Sequence, residues 1–308
     1  MLSIVLPSYN EEANIEKVTN VILSLMKKEN IDVELIFIDD GSRDATWNKI
    51  CLMSKEYSQV VGITFSRNFG KEAALAAGLD YAKGECVAVM DCDLQHPPET
   101  LIQMYHLWED GFQVVEGIKS SRGKEGIIYK LFAKTFYKLI SNATGIDMSK
   151  ASDFKLLDRK VVDEYCKLPE RNIFFRALSS WVGFKTTYVE FDVQEREAGE
   201  SKWSFKSLVK YAINGIASFS SSIMQVVTAC GIIFFVFAVI LGIQSLVKYF
   251  MGQSVEGFTT VILLVLLTGS ILMFSLGVIG YYISKIYDEI KMRPKYIVSE
   301  VVKAKERI

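Results

Sequence analysis

Apolar and polar positions follow two different periods up to about residue 190. Short apolar runs of strand length, LSIVLP, VELIFIDD, VVGITFS, CVAVMD and FQVVEG, alternate with longer segments that have the period of amphipathic helices. The helical segments are EEANIEKVTNVILSLMKK, DATWNKICLMSKEY, KEAALAAGLDYAKG and the stretch from Pro98 to Asp110. Strands that alternate with helices predict an α/β domain whose mostly parallel sheet is covered by helices on both faces.

Two later segments contain no charged residue at all. One lies between Lys210 and Lys248, and the other lies between Glu256 and Lys285. Each exceeds the ~20 apolar residues that cross the hydrocarbon core of a bilayer. The pattern predicts two transmembrane helices, at about 224–247 and 258–284. Buried core helices are the alternative, but they seldom run this long without a charge.

Basic residues lie on both flanks of these two spans and are nearly absent from the short connector. The connector carries Lys248 alone, whereas the flanks carry Lys202, Lys206, Lys210, Lys285, Lys291, Arg293 and Lys295. The positive-inside bias therefore predicts that both termini are cytoplasmic. We divide the chain into a catalytic domain at 1–200, an amphipathic juxtamembrane helix at 201–223, a transmembrane hairpin at 224–284 and a cytoplasmic tail at 285–308.

Overall composition excludes some classes of function. The chain has 35 basic and 36 acidic residues and a formal net charge of −1, so no global positive field favours nucleic acid. Its five cysteines show neither metal-type spacing nor a paired framework, which indicates reduced thiols of the cytosol. The segment MLSIVLPSYNEE has no basic region and only a short apolar run, so it is not a secretory signal.

Acidic residues end two of the predicted strands. Asp39 and Asp40 end the second strand, and Asp91 and Asp93 end the fourth. Ligands of such sheets bind at the carboxyl ends of the strands. The chain has neither a G-x-G-x-x-G sequence after its first strand nor a P-loop, which argues against a dinucleotide fold. A divalent cation held by carboxylates and completed by phosphate oxygens would serve instead.

The spacing of Asp91 and Asp93 allows both side chains to point to one side of an extended segment, with Gln95 two residues further on. The alternative is an Asx-turn that leads to a helix start at Pro97 and Pro98, which explains one acid but not both.

Several motifs resemble family 2 glycosyltransferases of the GT-A fold. In chain order they are IVLPSYNEEANI, DDGSRDAT, SRNFGKEAAL, DCDLQHPPE, SDFKLLDR and EREAGESKWS. They are most similar to polyisoprenyl-phosphate (bactoprenol) glucosyltransferases and, more distantly, to dolichol-phosphate mannose synthases. The resemblance covers nearly the whole chain and implies a Rossmann-like GT-A catalytic domain, an amphipathic surface helix and a two-helix transmembrane hairpin. Cys92 and Ala151 stand where the family often has Ala and Gly, and neither change removes a functional group.

The resemblance implies a donor site and a metal site. Mg²⁺ or Mn²⁺ would bind Asp91, Asp93 and Gln95, and Asp153 would be catalytic together with Asp91 and Asp93. The nucleotide-sugar site would comprise Pro7, Tyr9, Glu11, Asp39, Asp40, Lys71, Asp91 and Gln95. Helix capping is an alternative role for Tyr9 and Glu11, a solvated helix start for Lys71, and a strand-end or capping role for Asp153.

Cations are also expected around the phosphate of a lipid acceptor. The residues expected to bind it are Lys119, Arg122, Arg196, Ser201 and Lys202. The alternative is that these cations anchor the chain to lipid headgroups, and we favour that role for Lys206 and Lys210. His96 follows the acids directly and is interpreted as a loop residue or a residue at the edge of the substrate.

The implied reaction is an inverting transfer of a hexose, most simply glucose, from a UDP-sugar to undecaprenyl phosphate on the cytoplasmic face of the cell membrane. GDP-mannose, UDP-N-acetylglucosamine and UDP-galactose are alternative donors, because no residue determines the sugar. A processive synthase would need more spans, a phosphoglycosyl transferase would release UMP, and a non-catalytic scaffold would not need both acidic strand ends. A homo-oligomer and a flippase for the lipid-linked sugar are the expected protein partners.

Overall fold

A computed structural model describes residues 1–120, 152–168, 175–176, 181–192, 222–251 and 257–303. The chain forms two compact units. The first comprises Met1–Phe205 together with Arg293–Ile308, and the second comprises Lys206–Met292.

The described part of the first unit contains one eight-stranded sheet. Its strands are β1 (Leu2–Ser8), β2 (Val33–Asp39), β3 (Val60–Phe65), β4 (Cys86–Val89), β5 (Val114–Lys119), β6 (Lys155–Asp158), β7 (Thr186–Phe191) and β8 (Val298–Lys303). Their order across the sheet is β7-β5-β6-β4-β1-β2-β3-β8. The pairs β1–β2, β1–β4, β2–β3 and β5–β7 are parallel, and β6 and β8 run antiparallel to their neighbours. The predicted α/β class and mostly parallel sheet are confirmed.

In the described part of this unit, five helices accompany the sheet: α1 (Ile15–Lys28), α2 (Thr46–Glu56), α3 (Lys71–Tyr81), α4 (Pro98–Glu109) and α5 (Arg159–Cys166). α1 buries Ile15, Val18, Ile22 and Met26, which recur every three or four residues and form one apolar face. α3 lies close to the sheet because five of its seven buried residues are alanine or glycine. A Cβ atom at Gly78 would come within 2.1 Å of the side chain of Val5.

The end of the chain supplies a strand that the sequence analysis did not predict. Residues 285–308 were expected only to form a tail, but β8 pairs antiparallel with β3, with Val301 opposite Ile63. The segment VSEVVK is short and has no clear alternation of apolar and polar residues, so its pattern is weak. Tyr296, just before β8, stacks on Phe65 at 5.1 Å between ring centroids, and its hydroxyl donates to Asp80 Oδ2 at 2.7 Å.

Where the structure describes the second unit, it contains two long helices, α6 (Ser222–Phe250) and α7 (Phe258–Ile290). The predicted spans at about 224–247 and 258–284 fall within them. In the described part, Leu267–Ile290 is long and apolar enough to cross a membrane, whereas the apolar stretch Val227–Leu241 is shorter. The two-span hairpin therefore stays a prediction. The juxtamembrane segment is not described before residue 222.

The contacts of Tyr296 predict a measurable contribution of the C-terminal segment to stability. Tyr296→Ala removes the ring stacked on Phe65 and the hydrogen bond to Asp80, so the free energy of unfolding should fall by about 1–3 kcal/mol. Tyr296→Phe keeps the ring and should cost about 1 kcal/mol or less. Denaturant unfolding of the purified full-length protein measures both changes. Leu52→Ala, at a side chain that is 53% exposed, is the control and should change stability little. A Tyr296→Ala protein as stable as this control would contradict the assignment.

Candidate active site

The topology of the sheet brings distant aspartates to one edge. β1, β2 and β4 are parallel, so Asp40 and Asp91 follow carboxyl ends at the same edge. β6 runs antiparallel to β4, with Lys155 opposite Val89. Residues that precede β6 therefore lie beside those that follow β4. For this reason Asp153 approaches Asp91 although the two are far apart in the sequence.

Lys71, the first residue of α3, joins these two aspartates. Its Nζ atom lies 2.6 Å from Asp91 Oδ1 and 3.2 Å from Asp153 Oδ2. The Lys71 side chain is 41% exposed, so its ammonium group is also accessible from solvent. A merely solvated helix start does not describe this residue, because it is the ion-pair partner of two acids.

Arg176 is a member of the site that the sequence analysis missed. Its Nε and Nη2 atoms donate to the two carboxylate oxygens of Asp153, at 2.6 and 2.7 Å. This is the bidentate geometry of the stronger Arg–carboxylate pairs. Arg176 lies in the segment NIFFRAL, which has no motif or strand-end position that would have identified it. Asp153 therefore lies between two cations and is not a helix cap.

The pKa values of these groups are governed by their mutual charges. Burial alone would raise the pKa of Asp91 and Asp153, but Lys71 holds the pKa of Asp91 below its usual value. Lys71 and Arg176 together hold the pKa of Asp153 well below its usual range. Burial would lower the pKa of Lys71, yet the two carboxylates raise it well above its usual value. All four groups are charged at neutral pH, and Asp153 is a weak base in this state.

Asp93 has a different local role from Asp91. Asp93 Oδ1 accepts a hydrogen bond from the Gln95 backbone N–H at 3.1 Å, which forms an Asx-turn on the way to α4. The turn considered in the sequence analysis is thus present and explains Asp93 but not Asp91. Leu94, which lies between Asp93 and Gln95, has a φ of 54°, a left-handed conformation that is costly for a bulky side chain. Such strain is common where a loop must present ligand-binding groups.

The loop after β4 fits an open metal site rather than a closed cage. Among the residues that the structure describes, no group of three or more His, Cys, Asp and Glu side chains could enclose a metal ion. Mg²⁺ is commonly bound by one or two carboxylates, with phosphate oxygens and water as the other ligands. Asp91 and Asp93 offer oxygens of this kind, and the Asp91 side chain is 33% exposed. The donor set therefore fits a divalent cation that binds together with a phosphate ligand.

Asp39 and Asp40 hold the loops around the site. Asp39 is 2% exposed and accepts a hydrogen bond from Thr64 Oγ1 at 2.7 Å. Asp40 accepts from the backbone N–H groups of Phe69 and Gly70, at 2.6 and 2.9 Å. Burial raises the pKa of Asp40 despite these two donors. Asp40 thereby positions the loop that leads to Lys71, whereas Asp39 ties the end of β2 to β3. The sequence patterns did not predict these roles.

The loop after β1 presents an exposed aromatic ring. Tyr9 is 39% exposed and follows Pro7 and Ser8 at the end of the strand. The Glu11 N–H donates to Thr46 Oγ1 at 2.8 Å, which ties this loop to the start of α2. The N-cap of α1 is Asn14, whose side chain makes no capping hydrogen bond. Glu11 contacts this N-cap residue, because its Oε2 atom accepts a hydrogen bond from Asn14 Nδ2 at 2.6 Å.

His96 is a packed ring at the border of the site. Its ring stacks on Phe154 at 4.6 Å and meets the edge of Phe191 at 5.4 Å. Burial lowers its pKa, and its Nδ1 atom has no hydrogen-bond partner among the described residues. Lys119 ends β5 and is exposed. The other residues predicted to bind the acceptor phosphate lie outside the described residues: Arg122, Arg196, Ser201 and Lys202.

A buried ion pair lies behind Asp153. Lys155 and Glu116 are direct neighbours across β6 and β5, and the Lys155 Nζ atom lies 2.8 Å from Glu116 Oε1. Their side chains are 0% and 4% exposed. Burial lowers the pKa of Lys155, although Glu116 opposes the shift. Opposite charges inside two apolar strands, VVEGIK and KLLD, were a signal that the sequence analysis did not use.

Glu72 follows Lys71 in the first turn of α3. Its Oε2 atom accepts a hydrogen bond from the Phe175 N–H at 2.9 Å. Burial raises the pKa of Glu72 to about 7, and this hydrogen bond opposes the shift. The protonation of Glu72 therefore changes near neutral pH.

Comparisons with known proteins address the chain as a whole. Residues 3–166 match the family described as Glycosyl transferase family 2. An uncharacterized glycosyltransferase of Bacillus subtilis, YkcC, is 40% identical over 305 residues, which cover 97% of this chain and 93% of that protein. The bactoprenol glucosyl transferase of Shigella phage SfII is 37% identical over 304 residues, 97% of each chain.

Solved structures show the same fold at low sequence identity. Mannosyl-3-phosphoglycerate synthase from Rubrobacter xylanophilus aligns with a TM-score of 0.53 and 17% identity over 71% of this chain and 72% of its own. Glucosyl-3-phosphoglycerate synthase from Mycobacterium tuberculosis, in complex with Mn²⁺, UDP-glucose and phosphoglyceric acid, aligns with a TM-score of 0.50 and 21% identity. That alignment covers 71% of this chain and 78% of the other. The sheet thus has the GT-A fold.

The raised pKa of Glu72 predicts a pH-dependent stability difference. Its pKa is about 7 in the folded chain against 4.5 for an ordinary glutamate, so ionisation favours unfolding. The contribution of protonated Glu72 to the free energy of unfolding is fully present below about pH 4.5 and is lost as the pH rises through about 7. Glu72→Gln cannot ionise and still offers an oxygen to Phe175. It should therefore be more stable than the wild type by about 3 kcal/mol above pH 7, with no difference below pH 4.5.

Thermal or denaturant unfolding from pH 4 to pH 8 measures this difference. Lys71, Asp153 and Arg176 surround Glu72 and stay charged over most of this range, so their effects cancel between the two proteins. Glu56→Gln, at the exposed end of α2, is the matched control and should show no such gain. Parallel stability curves for the wild type and Glu72→Gln would exclude the assignment.

Proposed function

The chain belongs to glycosyl transferase family 2, and we propose that it transfers a hexose, glucose in the first instance, from a UDP-sugar to a polyisoprenyl phosphate such as undecaprenyl phosphate. Its similarity to a bactoprenol glucosyl transferase carries this proposal. That relative is 37% identical over 97% of both chains, so the likeness includes the two long helices as well as the sheet. Transfer to a water-soluble acceptor would not require two long apolar helices, so it would not explain why the sequence similarity extends through them.

The donor is proposed to bind at the carboxyl edge of β1, β2 and β4. The exposed ring of Tyr9 offers a flat face. Pro7, near the end of β1, precedes it in the chain, and Glu11 follows it in the loop. Asp39 and Asp40 have further lone pairs on oxygens that already accept one hydrogen bond each, so each can accept another from a base or ribose. Gln95 would complete the site near the diphosphate.

A divalent cation, Mg²⁺ or Mn²⁺, is proposed to be held by Asp91 and Asp93, with Gln95 beside them. When bound, it would supply Lewis-acid stabilisation of the diphosphate leaving group. Lys71 would bind a phosphate of the donor, because its ammonium group is accessible and α3 holds its backbone in place. The glucosyl-3-phosphoglycerate synthase that shares the fold is described in complex with Mn²⁺ and UDP-glucose.

Asp153 is proposed to orient the acceptor and balance charge rather than remove a proton. Its depressed pKa makes it a weak base. A phosphate monoester has its second pKa near ~6 and needs little deprotonation at neutral pH. In the proposed reaction an acceptor phosphate oxygen attacks the anomeric carbon, the bond to the β-phosphate breaks, and UDP leaves with the electron pair. Configuration inverts, because there is one displacement.

The acceptor phosphate is proposed to meet Lys119, Arg122, Arg196, Ser201 and Lys202. Lys119 ends β5, which runs parallel to β4 and so points to the same edge of the sheet. For Arg122, Arg196, Ser201 and Lys202, this part of the proposal rests on the sequence alone. We also retain the two-span hairpin with both termini cytoplasmic, a homo-oligomer and a flippase partner as parts of the proposal.

The proposed reaction predicts formation of a lipid-linked sugar and release of UDP. Purified protein, radiolabelled UDP-glucose and undecaprenyl phosphate should yield labelled lipid and UDP in equal amounts, and excess chelator should stop both until Mg²⁺ or Mn²⁺ is restored. Asp91→Asn should lower turnover at least ~100-fold, about 2.7 kcal/mol of transition-state stabilisation. Asp110→Asn, at the exposed end of α4, is the control and should retain activity.

The alternatives predict different products in the same assay. A higher rate with GDP-mannose, UDP-galactose or UDP-N-acetylglucosamine would change the donor, and release of UMP would indicate a phosphoglycosyl transferase. Absence of transfer from every donor would refute the proposed function.

The proposed hairpin predicts the side from which two added cysteines react. In cells that express a Cys230→Ala background, a cysteine at Gln253 should react with an impermeant maleimide added outside. One at Lys291 should react only after permeabilisation, because both flanks are expected to be cytoplasmic. The reverse labelling pattern would place the catalytic unit on the other face of the membrane.

A further inference from the structure

The partly buried Glu72 and the buried pair Lys155–Glu116 hold the backbone around Arg176. The Phe175 N–H donates to Glu72 Oε2 at 2.9 Å, and the Arg176 carbonyl oxygen accepts from Lys155 Nζ at 3.2 Å. Glu116 holds the Lys155 ammonium from the opposite strand at 2.8 Å. We call Glu72, Lys155 and Glu116 the Arg176 clamp. The clamp thus binds the Phe175–Arg176 dipeptide at two points. Glu72 accepts a hydrogen bond from the Phe175 N–H, and Lys155 donates one to the Arg176 carbonyl oxygen.

The ion pair in the clamp is not explained by stability alone. A buried ion pair such as Lys155–Glu116 loses hydration on folding, and apolar residues of similar volume often serve a fold as well or better. Its ammonium has a second task, because it donates to the Arg176 carbonyl oxygen. Glu116 allows Lys155 to be buried with its charge, and the charge makes Lys155 a strong donor.

The first turn of α3 contacts Asp153 directly through Lys71 and indirectly through Glu72. Lys71 contacts the Asp153 carboxylate directly at 3.2 Å. Its neighbour Glu72 fixes the Phe175 amide, and the next residue, Arg176, binds the same carboxylate through two N–H groups. Neighbouring residues on a helix point about 100° apart, so one turn can serve both contacts.

From these contacts we propose that Glu72, Lys155 and Glu116 are positioning residues, which set the orientation of Asp153 by holding the backbone of Arg176. A bidentate pair transmits position because both N–H groups must meet both oxygens. A guanidinium group held only by its own flexible side chain would leave the carboxylate free to turn. This inference rests on the proposed function for its effect on turnover, but its structural part does not depend on any substrate.

The first test compares Glu72→Ala with Glu72→Gln in the full-length protein. Glu72→Ala removes the acceptor, so hydrogen exchange at the Phe175 amide should become at least about tenfold faster. With UDP-glucose and undecaprenyl phosphate, kcat should fall at least about tenfold while KM for UDP-glucose changes less than about twofold. Glu72→Gln keeps an acceptor oxygen and should restore both slow exchange and turnover. Glu56→Ala, on the surface of α2, is the control.

The second test removes the other half of the clamp without leaving a buried charge. The double variant Lys155→Met/Glu116→Gln keeps the volume of the pair but removes the Lys155 ammonium that donates to the Arg176 carbonyl oxygen. It should fold, with slow exchange through β5 and β6, and should again lower kcat about tenfold with KM for UDP-glucose nearly unchanged. A merely structural role would lower the unfolding temperature and leave kcat per folded molecule unchanged.

The outcomes separate the clamp from the proposed function. A wild-type protein that makes no lipid-linked sugar would refute the proposed function, and exchange at Phe175 would still decide the clamp. Unchanged exchange in Glu72→Ala would overturn the clamp whatever the activity. If Glu72→Ala does not fold, the double variant decides: a kcat equal to that of the wild type overturns the inference.

Discussion

Asp91 and Asp153 bring like charges to the same edge of one sheet, and much of the surrounding structure keeps both of them ionised there. The antiparallel course of β6 beside β4 causes the approach. Two carboxylates this close to a common partner would raise each other's pKa if they were left alone. Lys71 between them and Arg176 behind Asp153 reverse that effect, so both acids keep their charges in a partly buried place. The cations are therefore as necessary to the site as the acids.

These charges act only if the backbone that carries them is held. α3 presents Lys71 from a helix that lies close against β1, because most of its buried residues are small. The loop before α3 is tied to Asp40 through two amide hydrogen bonds. Gly41 has a φ of 65°, and a Cβ atom there would lie 2.6 Å from the Arg67 carbonyl carbon. The loops after β2 and β3 are thus packed backbone to backbone, which leaves no room for a side chain between them.

Sequence patterns could predict the parts of this arrangement that are local. The strands β1 to β5, the helices α1 to α4 and the acids at strand ends all follow from the periods of apolar residues and from strand polarity. Arg176 could not be found in this way, because its role depends on a partner in another segment. β8 was missed because VSEVVK has no strong pattern and depends on the edge of β3 to form a strand. The pair Lys155–Glu116 could have been predicted, because a charged residue inside an apolar strand needs a partner of opposite charge and each of the two strands contains one.

The state of Asp153 agrees with the chemistry proposed for it. A hydroxyl acceptor would need a base with a pKa near neutrality, and such a base is commonly made by burial away from cations. Asp153 has the opposite surroundings, with two cations in direct contact. A phosphate acceptor arrives already ionised and must instead be brought against an electrophilic carbon beside other negative groups. A carboxylate fixed in one orientation, with cations that offset its charge, suits that task better than a proton acceptor does. The ion-pair network and the proposed phosphate acceptor therefore support each other on physical grounds.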